Sequence, residues 1–255
     1  MLHRAAPLQP VAFTHCLSDT YRERRWRWIF ITLMLLCCGF FALPHDLGIA
    51  RFIQTGSLPQ SLGEILEKAE TFAHGIGIAA ILIVLFVVDH SRRWAIPRVI
   101  LAVVSAGLAA NGMKLLVGRL RPYAADLTAE FTDSFTCVLP LFSVGSTERS
   151  SPSAHTAVAV AFAIGLGWLY PRGRYVFMTL AVLAAVQRIA GSAHFLSDVF
   201  WGGSLGYFLG RGIMAGWLTG GHFDRLEAKR YMATTGLSSR VESPAVQPTP
   251  RKRAA

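Results

Sequence analysis

Six apolar stretches constrain the fold of this chain more than any other feature of its sequence. They run approximately over residues 28–43, 71–88, 96–113, 154–170, 175–186 and 195–218, the fifth being extended by residues 187–193. A helix of about 17 to 25 apolar residues crosses the hydrocarbon core of a bilayer, where every backbone polar group must be satisfied internally. A composition of 53% hydrophobic and 16% charged residues agrees with that solvent. The sequence therefore predicts an all-α polytopic bundle of six transmembrane helices.

The basic residues predict how this bundle is oriented. The formal charge of +10 is distributed in clusters between the apolar stretches rather than gathered on one soluble face. With the N-terminus inside, most clusters fall on the inner side, as the positive-inside rule requires, so both termini are predicted to be cytoplasmic. This distribution explains the net charge without nucleic acid as a partner. A cleaved signal peptide is the alternative interpretation of the first stretch, and it also leaves the following segment outside.

Three parts of the chain follow from this topology. Residues 1–27 are a cytoplasmic N-terminal segment, residues 28–219 form the membrane domain, and residues 220–255 form a basic tail whose prolines predict disorder. In the last helix, Gly202, Gly206 and Gly210 form a small-residue stripe that favours close packing within the chain over dimerisation. The oligomeric state is not predicted.

Three segments place ionisable residues at the ends of apolar stretches, all on the predicted outer side. In the first, Lys114 and Arg121 are seven positions apart, so both cations share one face if the third helix continues past Met113. Two cations on one face suit a phosphate, although snorkelling to the interface also explains them.

The second segment, residues 151–155, begins the fourth helix. Ser151 is the predicted N-cap and Pro152 the first helical residue, which leaves the amides of Ser153, Ala154 and His155 free to bind an anion. An ordinary capped helix is the alternative. In the third segment, Arg188 precedes His194, and Asp198 follows His194 by four residues. That spacing lets the carboxylate orient the imidazole as a nucleophile, or forms a structural pair.

The ordered motifs Lys-x6-Arg-Pro, Pro-Ser-Ala-His and Arg-x5-His-x3-Asp resemble those of the type 2 phosphatidic acid phosphatase superfamily, which includes the vanadium haloperoxidases. The resemblance implies that His194 attacks phosphorus, Asp198 orients it, and His155 protonates the leaving oxygen and then activates water. It also implies a metal-free and cofactor-free site, and it assigns a group that holds the phosphoryl oxygens: Lys114, Arg121, Ser153, Ala154 and Arg188. Two positions depart from the family pattern, which usually has Gly at Ala154 and Ser at Gln187.

The expected function is that of a membrane phosphatase acting on a lipid phosphate, at the outer face of a bacterial inner membrane. Phosphatidic acid, phosphatidylglycerol phosphate, a polyprenyl diphosphate and a lipid A phosphate are the candidate substrates. A vanadate-dependent haloperoxidase and a non-catalytic phospholipid binder or transporter are the alternatives. Glu70 and His74, one turn apart, could line a headgroup site, although an interfacial hydrogen bond also explains them. Residues 123–150 are expected to cover the active site or to contact the lipid headgroup.

Overall fold

A computed structural model describes residues 25–56 and 59–227, and these residues are mostly helical, as predicted. Eight α-helices lie between residues 25 and 214, and residues 222–227 are helical as well. They are α1 (Arg25–Ala42), α2 (Asp46–Thr55), α3 (Gln60–Glu70), α4 (Gly75–Val88), α5 (Ile96–Met113), α6 (Ala154–Leu169), α7 (Arg174–Ala190) and α8 (Leu196–Met214). Helices α1 and α4 to α8 correspond to the six apolar stretches, whereas α2 and α3 lie where no helix was predicted.

Membrane-spanning character is clear in part of this set. Three helical stretches are long and apolar enough to cross a bilayer: Trp26–Thr55, Arg93–Met113 and Pro171–Ala190. A fourth is formed if Gln60–Ala73 and Gly75–Val88, which meet at 66°, are one broken span. Helix α6 is apolar but has 16 residues, about 24 Å at 1.5 Å per residue. Six crossings and the cytoplasmic termini remain predictions.

Helix α6 forms the centre of the bundle, and α8 packs directly against it. A Cβ atom added at Gly202 would lie 2.3 Å from the carbonyl oxygen of Ser153, and one at Gly206 would lie 2.2 Å from that of Ala157. At Gly210 the nearest atom, the Cα of Ala161, would be 3.1 Å away. The glycine stripe therefore serves contact between two helices of the same chain, which confirms the prediction.

A two-stranded antiparallel sheet lies beyond the end of α5. The predicted all-α class did not include it. Strand β1 (Val117–Arg119) pairs with β2 (Phe135–Val138), with an irregularity between Gly118 and Arg119. The segment 123–150, predicted to be a connection over the site, thus contributes strand β2, which pairs with β1 after the end of α5. Helix α5 ends at Met113, so the condition under which Lys114 and Arg121 would share one helical face is not met.

The end of the bundle at which α5 begins holds the start of the predicted tail. Residues 222–227 are helical, and Glu227 is 4% exposed. Its carboxylate and that of Asp224 accept hydrogen bonds from Arg98, at 3.1 and 2.8 Å. The tail predicted from residue 220 therefore starts as ordered chain docked on α5. The rest of the tail, and the N-terminal segment up to residue 24, lie outside the described residues.

Candidate active site

The three motifs converge at one end of α5, α6 and α8. The backbone amide of Ser153 donates a hydrogen bond to the carbonyl oxygen of Asp198 at 3.0 Å, which joins the second motif to the third. Lys114, Arg121 and Arg188 all act electrostatically on His194, so the cations of the first and third motifs surround the same imidazole. The convergence predicted from the sequence is therefore present in the fold.

Lys114 and Arg121 reach this place by a different path from the predicted one. Lys114 caps the C-terminus of α5, and the chain then turns into β1 before Arg121. Arg121 is partly exposed, and its Nε donates to the carbonyl oxygen of Ser146 at 3.0 Å. Burial lowers the pKa of Lys114 to about 8, and repulsion by Arg121 and Arg149 acts in the same direction. A bound anion would relieve this repulsion and favour the charged form of Lys114.

The start of α6 is shifted by two residues from the prediction. Ser153, rather than Ser151, is the N-cap, and its Oγ accepts from the amide of Thr156. Ala154 and His155 take the first two helical positions, where amides have no carbonyl partner within the helix. These amides suit a phosphoryl oxygen, although the amide of Ser153 is already used by Asp198. The alanine at position 154 keeps its amide at the helix start.

His194 and Asp198 are neighbours, but the pair is not built on one helix as expected. Helix α8 begins at Leu196, so His194 precedes it, and Asp198 lies in its first turn. The His194 Nδ1 and Asp198 Oδ2 atoms are 4.0 Å apart, beyond hydrogen-bond distance. Nδ1 is buried and has no hydrogen-bond partner among the described residues. Burial lowers the pKa of His194 to about 3, so its imidazole is neutral near pH 7.

Asp198 is fully buried and is held by other groups. Its Oδ2 accepts from Ser150 Oγ at 2.6 Å and from the Phe195 amide at 3.0 Å. Its Oδ1 accepts from Arg119 at 2.6 Å. The carboxylate is therefore fixed in front of His194 by three donors.

Arg188 is paired with an acidic residue at the site. Its Nη1 is 2.7 Å from Oε1 of Glu70, with side chains 14% and 29% exposed. The ring centroids of His74 and His155 are 6.3 Å apart. Glu70 and His74 thus lie beside the predicted catalytic and phosphate-binding residues. Gln187, which departs from the family pattern, is 9% exposed, and its Oε1 has no partner in the described part of the chain.

Four residues near the site were not identified from the sequence. Asp46, Arg119, Ser150 and Ser197 are buried and form hydrogen bonds with one another or with Asp198. Asp46 is distant in sequence from the motifs, and Arg119 is one of the six unspecified positions of Lys-x6-Arg-Pro. The one available signal was Arg119 itself, a charged residue inside the first motif.

An apolar cavity of about 820 Å³ opens between α4, α5 and α6 and reaches the site. His74, Asn111 and His155 contribute its polar groups. The remaining lining is apolar and includes Ile78, Leu82, Phe86, Ile100, Val104 and Leu108. A chain of hydrocarbon and a phosphate could therefore occupy one continuous space.

Comparison with known proteins agrees with this geometry. Residues 95–220 match the family model described as the PAP2 superfamily. Two similar curated proteins are both named lipid A 1-phosphatase. One, from Rhizobium johnstonii, is 35% identical over 104 residues, which are 41% of this chain and 40% of that protein. The other, from Rhizobium etli, is 34% identical over 104 residues, 41% of this chain and 42% of that protein.

These matches therefore span about two fifths of the length of the curated relatives. Among solved structures, the crystal structure of Aquifex aeolicus LpxE is similar with a TM-score of 0.48 and 23% identity. That similarity covers 65% of this chain and 92% of the other.

Proposed function

Because this chain belongs to the PAP2 superfamily through residues 95–220, we propose that it is a membrane lipid phosphatase that works through a phosphohistidine. The observation that carries the proposal is the set of three cations and a helix N-terminus around His194 and His155. Such fixed positive groups stabilise the charge that develops on a transferring phosphoryl group.

In the proposed first step, the neutral imidazole of His194 attacks phosphorus through Nε2, because Nδ1 faces Asp198. The bond between phosphorus and the lipid oxygen breaks, and His155 gives that oxygen a proton. Lys114, Arg121, Arg188, Ser153 and the Ala154 amide hold the phosphoryl oxygens. Asp198 stabilises the positive charge that the phosphorylated imidazole acquires.

In the second step, His155, now neutral, removes a proton from water, and the water oxygen attacks phosphorus. The bond between phosphorus and Nε2 breaks, which releases inorganic phosphate and restores His194. No step uses a metal or a cofactor. Glu70 keeps Arg188 in place between turnovers.

The lipid part of the proposal rests on the apolar cavity beside His155 and on the names of the two relatives. A cavity with apolar walls and a polar end fits an acyl or prenyl chain that carries a phosphate. The substrate is a phosphomonoester or diphosphate of a lipid, with a lipid A phosphate as the first candidate. Phosphatidic acid, phosphatidylglycerol phosphate and a polyprenyl diphosphate are the others.

The same proposal includes the topology. Residues 28–219 cross the inner membrane of a bacterium six times, with both termini in the cytoplasm and the site on the periplasmic side. Residues 1–27 and 220–255 are its cytoplasmic extensions. The charge distribution and the apolar helices support this arrangement.

The test is phosphate release from these four lipids by the full chain in detergent, with a chelator present. The parent should release phosphate from at least one of these lipids. The rate for His194→Ala should be lower by at least about 10³-fold. His90→Ala is the control, since His90 is an exposed histidine outside the site. Equal rates in the parent and His194→Ala would refute the mechanism. Vanadate-dependent halide oxidation, or lipid binding without turnover, would favour the two alternatives.

A further inference from the structure

Arg119 is a buried cation that does not face the proposed phosphate site. Its side chain is 0% exposed and lies between the rings of Phe135 and Phe195, whose centroids are 4.7 and 4.4 Å from its Cζ. Arg121, by contrast, is partly exposed. The guanidinium of Arg119 is therefore enclosed by protein side chains.

The hydrogen bonds of Arg119 are directed to two carboxylates and two hydroxyls. Nη1 donates to Oδ1 of Asp198 at 2.6 Å and to Ser197 Oγ at 2.7 Å. Nη2 donates to Oδ2 of Asp46 at 2.7 Å, and Nε donates to Ser134 Oγ at 3.2 Å. All three nitrogens are thus engaged within the protein.

Asp46 is the opposite anchor of this group. It is 1% exposed, at the beginning of α2, and its Oδ1 accepts from the backbone amide of Ser197 at 3.0 Å. Its Oδ2 also accepts from the Ser197 hydroxyl. Asp46 therefore binds both the guanidinium and the first turn of α8, the turn that carries Asp198.

Together these residues form a buried triad (Asp46, Arg119 and Asp198) with one cation between two carboxylates. With both carboxylates ionised, the triad carries a net charge of −1, and removing Arg119 would leave two buried carboxylates without their cation, which is strongly unfavourable. One negative charge thus remains available to His194 when its imidazole becomes positive.

We infer that Arg119 is a positioning residue, which together with Asp46 fixes the carboxylate of Asp198 against His194. The inference rests on the proposed function. Arg119 holds Oδ1 of Asp198, so that Oδ2, the oxygen 4.0 Å from His194 Nδ1, keeps its direction. Arg119 touches neither substrate nor phosphate and acts through Asp198 alone.

The experiment compares Arg119→Gln and Arg119→Lys with the parent, using the lipid phosphate on which the parent is active. We expect Arg119→Gln to lower kcat about 100-fold, because small misplacements of reacting groups have effects of that size. KM and inhibition by inorganic vanadate should change less than about threefold, since the phosphate-binding cations are intact. Arg119→Lys should recover part of kcat.

Arg98→Gln is the matched control, since Arg98 is also buried and paired with two carboxylates at the other end of α5. Its kcat per folded molecule should stay within about threefold of the parent. If Arg119→Gln does not fold, Asp46→Asn decides, because it removes one charge with little change of shape; a fall in its kcat supports the inference.

A kcat within threefold of the parent in folded Arg119→Gln, or in Asp46→Asn when Arg119→Gln does not fold, would overturn the inference. A parallel rise of KM without recovery in Arg119→Lys would overturn it as well, since that pattern belongs to a merely structural residue. In both cases the parent is active and Asp198→Ala is not, so the proposed function survives. A parent that releases phosphate from no lipid refutes the proposed function instead.

Discussion

Two buried arginines lie at opposite ends of α5, and their surroundings differ. Arg119 lies beside the proposed active site, whereas Arg98 binds the C-terminal segment that packs on the bundle. Arg98 lies in the first turn of α5, and Arg119 follows its C-terminus. Each is held by two carboxylates. The two acidic side chains that pair with Arg119 are 0% exposed, whereas that of Asp224, one partner of Arg98, is 35% exposed.

The two arginine sites also differ in whether all of their polar atoms form hydrogen bonds. Arg119 has its three nitrogens bonded, but Nη2 of Arg98 and Oε1 of Glu227 have no hydrogen-bond partner among the described residues. Trp168 lies beneath the Arg98 guanidinium, at 5.2 Å. The same ion-pair chemistry therefore holds Asp198, the carboxylate of the proposed active site, at one end of α5 and the segment with Asp224 and Glu227 at the other.

The largest expected effect tests this division directly. Asp198→Ala should lower kcat by about 10²- to 10⁴-fold, because the imidazole loses its orienting carboxylate. Asp224→Ala should leave kcat within about twofold, since Asp224 lies in the segment docked beside Arg98, at the other end of α5. Steady-state phosphate release measures both. Similar losses in the two variants would mean that the ends of the bundle are not functionally separate.

The second prediction concerns the helix contact beneath the site. In Gly202→Ala, the new methyl group would lie 2.3 Å from the Ser153 carbonyl oxygen, so α8 must move from α6. We expect kcat to fall at least about tenfold, because Ser153 and Asp198 then separate. Gly203→Ala is the matched control, as its methyl group would meet Thr156 at an ordinary 3.8 Å. Equal activity of the two variants would contradict the close contact.

The third prediction uses the ammonium of Lys114. Its pKa of about 8 means that the free site loses this charge as the pH rises through 8, so phosphate binding weakens there. We expect KM to rise about fivefold between pH 7 and pH 9, the effect of about 1 kcal/mol. In Lys114→Arg the charge persists, and KM should stay flat over this range. A parallel rise of KM in the parent and in Lys114→Arg would assign the pH dependence to another group.

The smallest expected effect concerns Glu227 and the pH dependence of the free energy of unfolding. Burial raises the pKa of Glu227 to about 7, from 4.5, so the folded state binds a proton that the unfolded chain has released between these values. This contribution to the free energy of unfolding is complete below pH 4.5 and is lost as the pH rises to 7. Thermal unfolding of Glu227→Gln should show a smaller decline over this window, with unchanged kcat. An identical decline in both proteins would refute the assignment.

Much of the site could be predicted from the sequence because its residues lie in compact, ordered motifs. His194, Asp198, His155, Lys114, Arg121 and Arg188 are brought together as expected. Helix periodicity failed for Lys114 and Arg121, since Val117 to Arg119 pair with β2 instead of continuing α5. The N-cap at Ser153 was missed because three nearby serines are all suitable caps.

The buried triad could not be predicted in the same way. Asp46 is separated from Arg119 by several helices along the chain, and no local pattern connects the two residues. Helices α2 and α3 were also missed, because their charged and polar residues do not form an apolar stretch. Long-range ion pairs of this kind depend on the tertiary packing.

The position of Asp46 has a consequence for the boundaries of a shortened version of this protein. The family match covers residues 95–220 and so includes Arg119 and Asp198, but not Asp46. A fragment with those boundaries would leave Nη2 of Arg119 and the backbone amide of Ser197 without their acceptor, and each unsatisfied buried donor costs about 1 to 3 kcal/mol. The cooperative folding unit is therefore longer than the segment of recognisable similarity, and an excised catalytic unit should begin before α2.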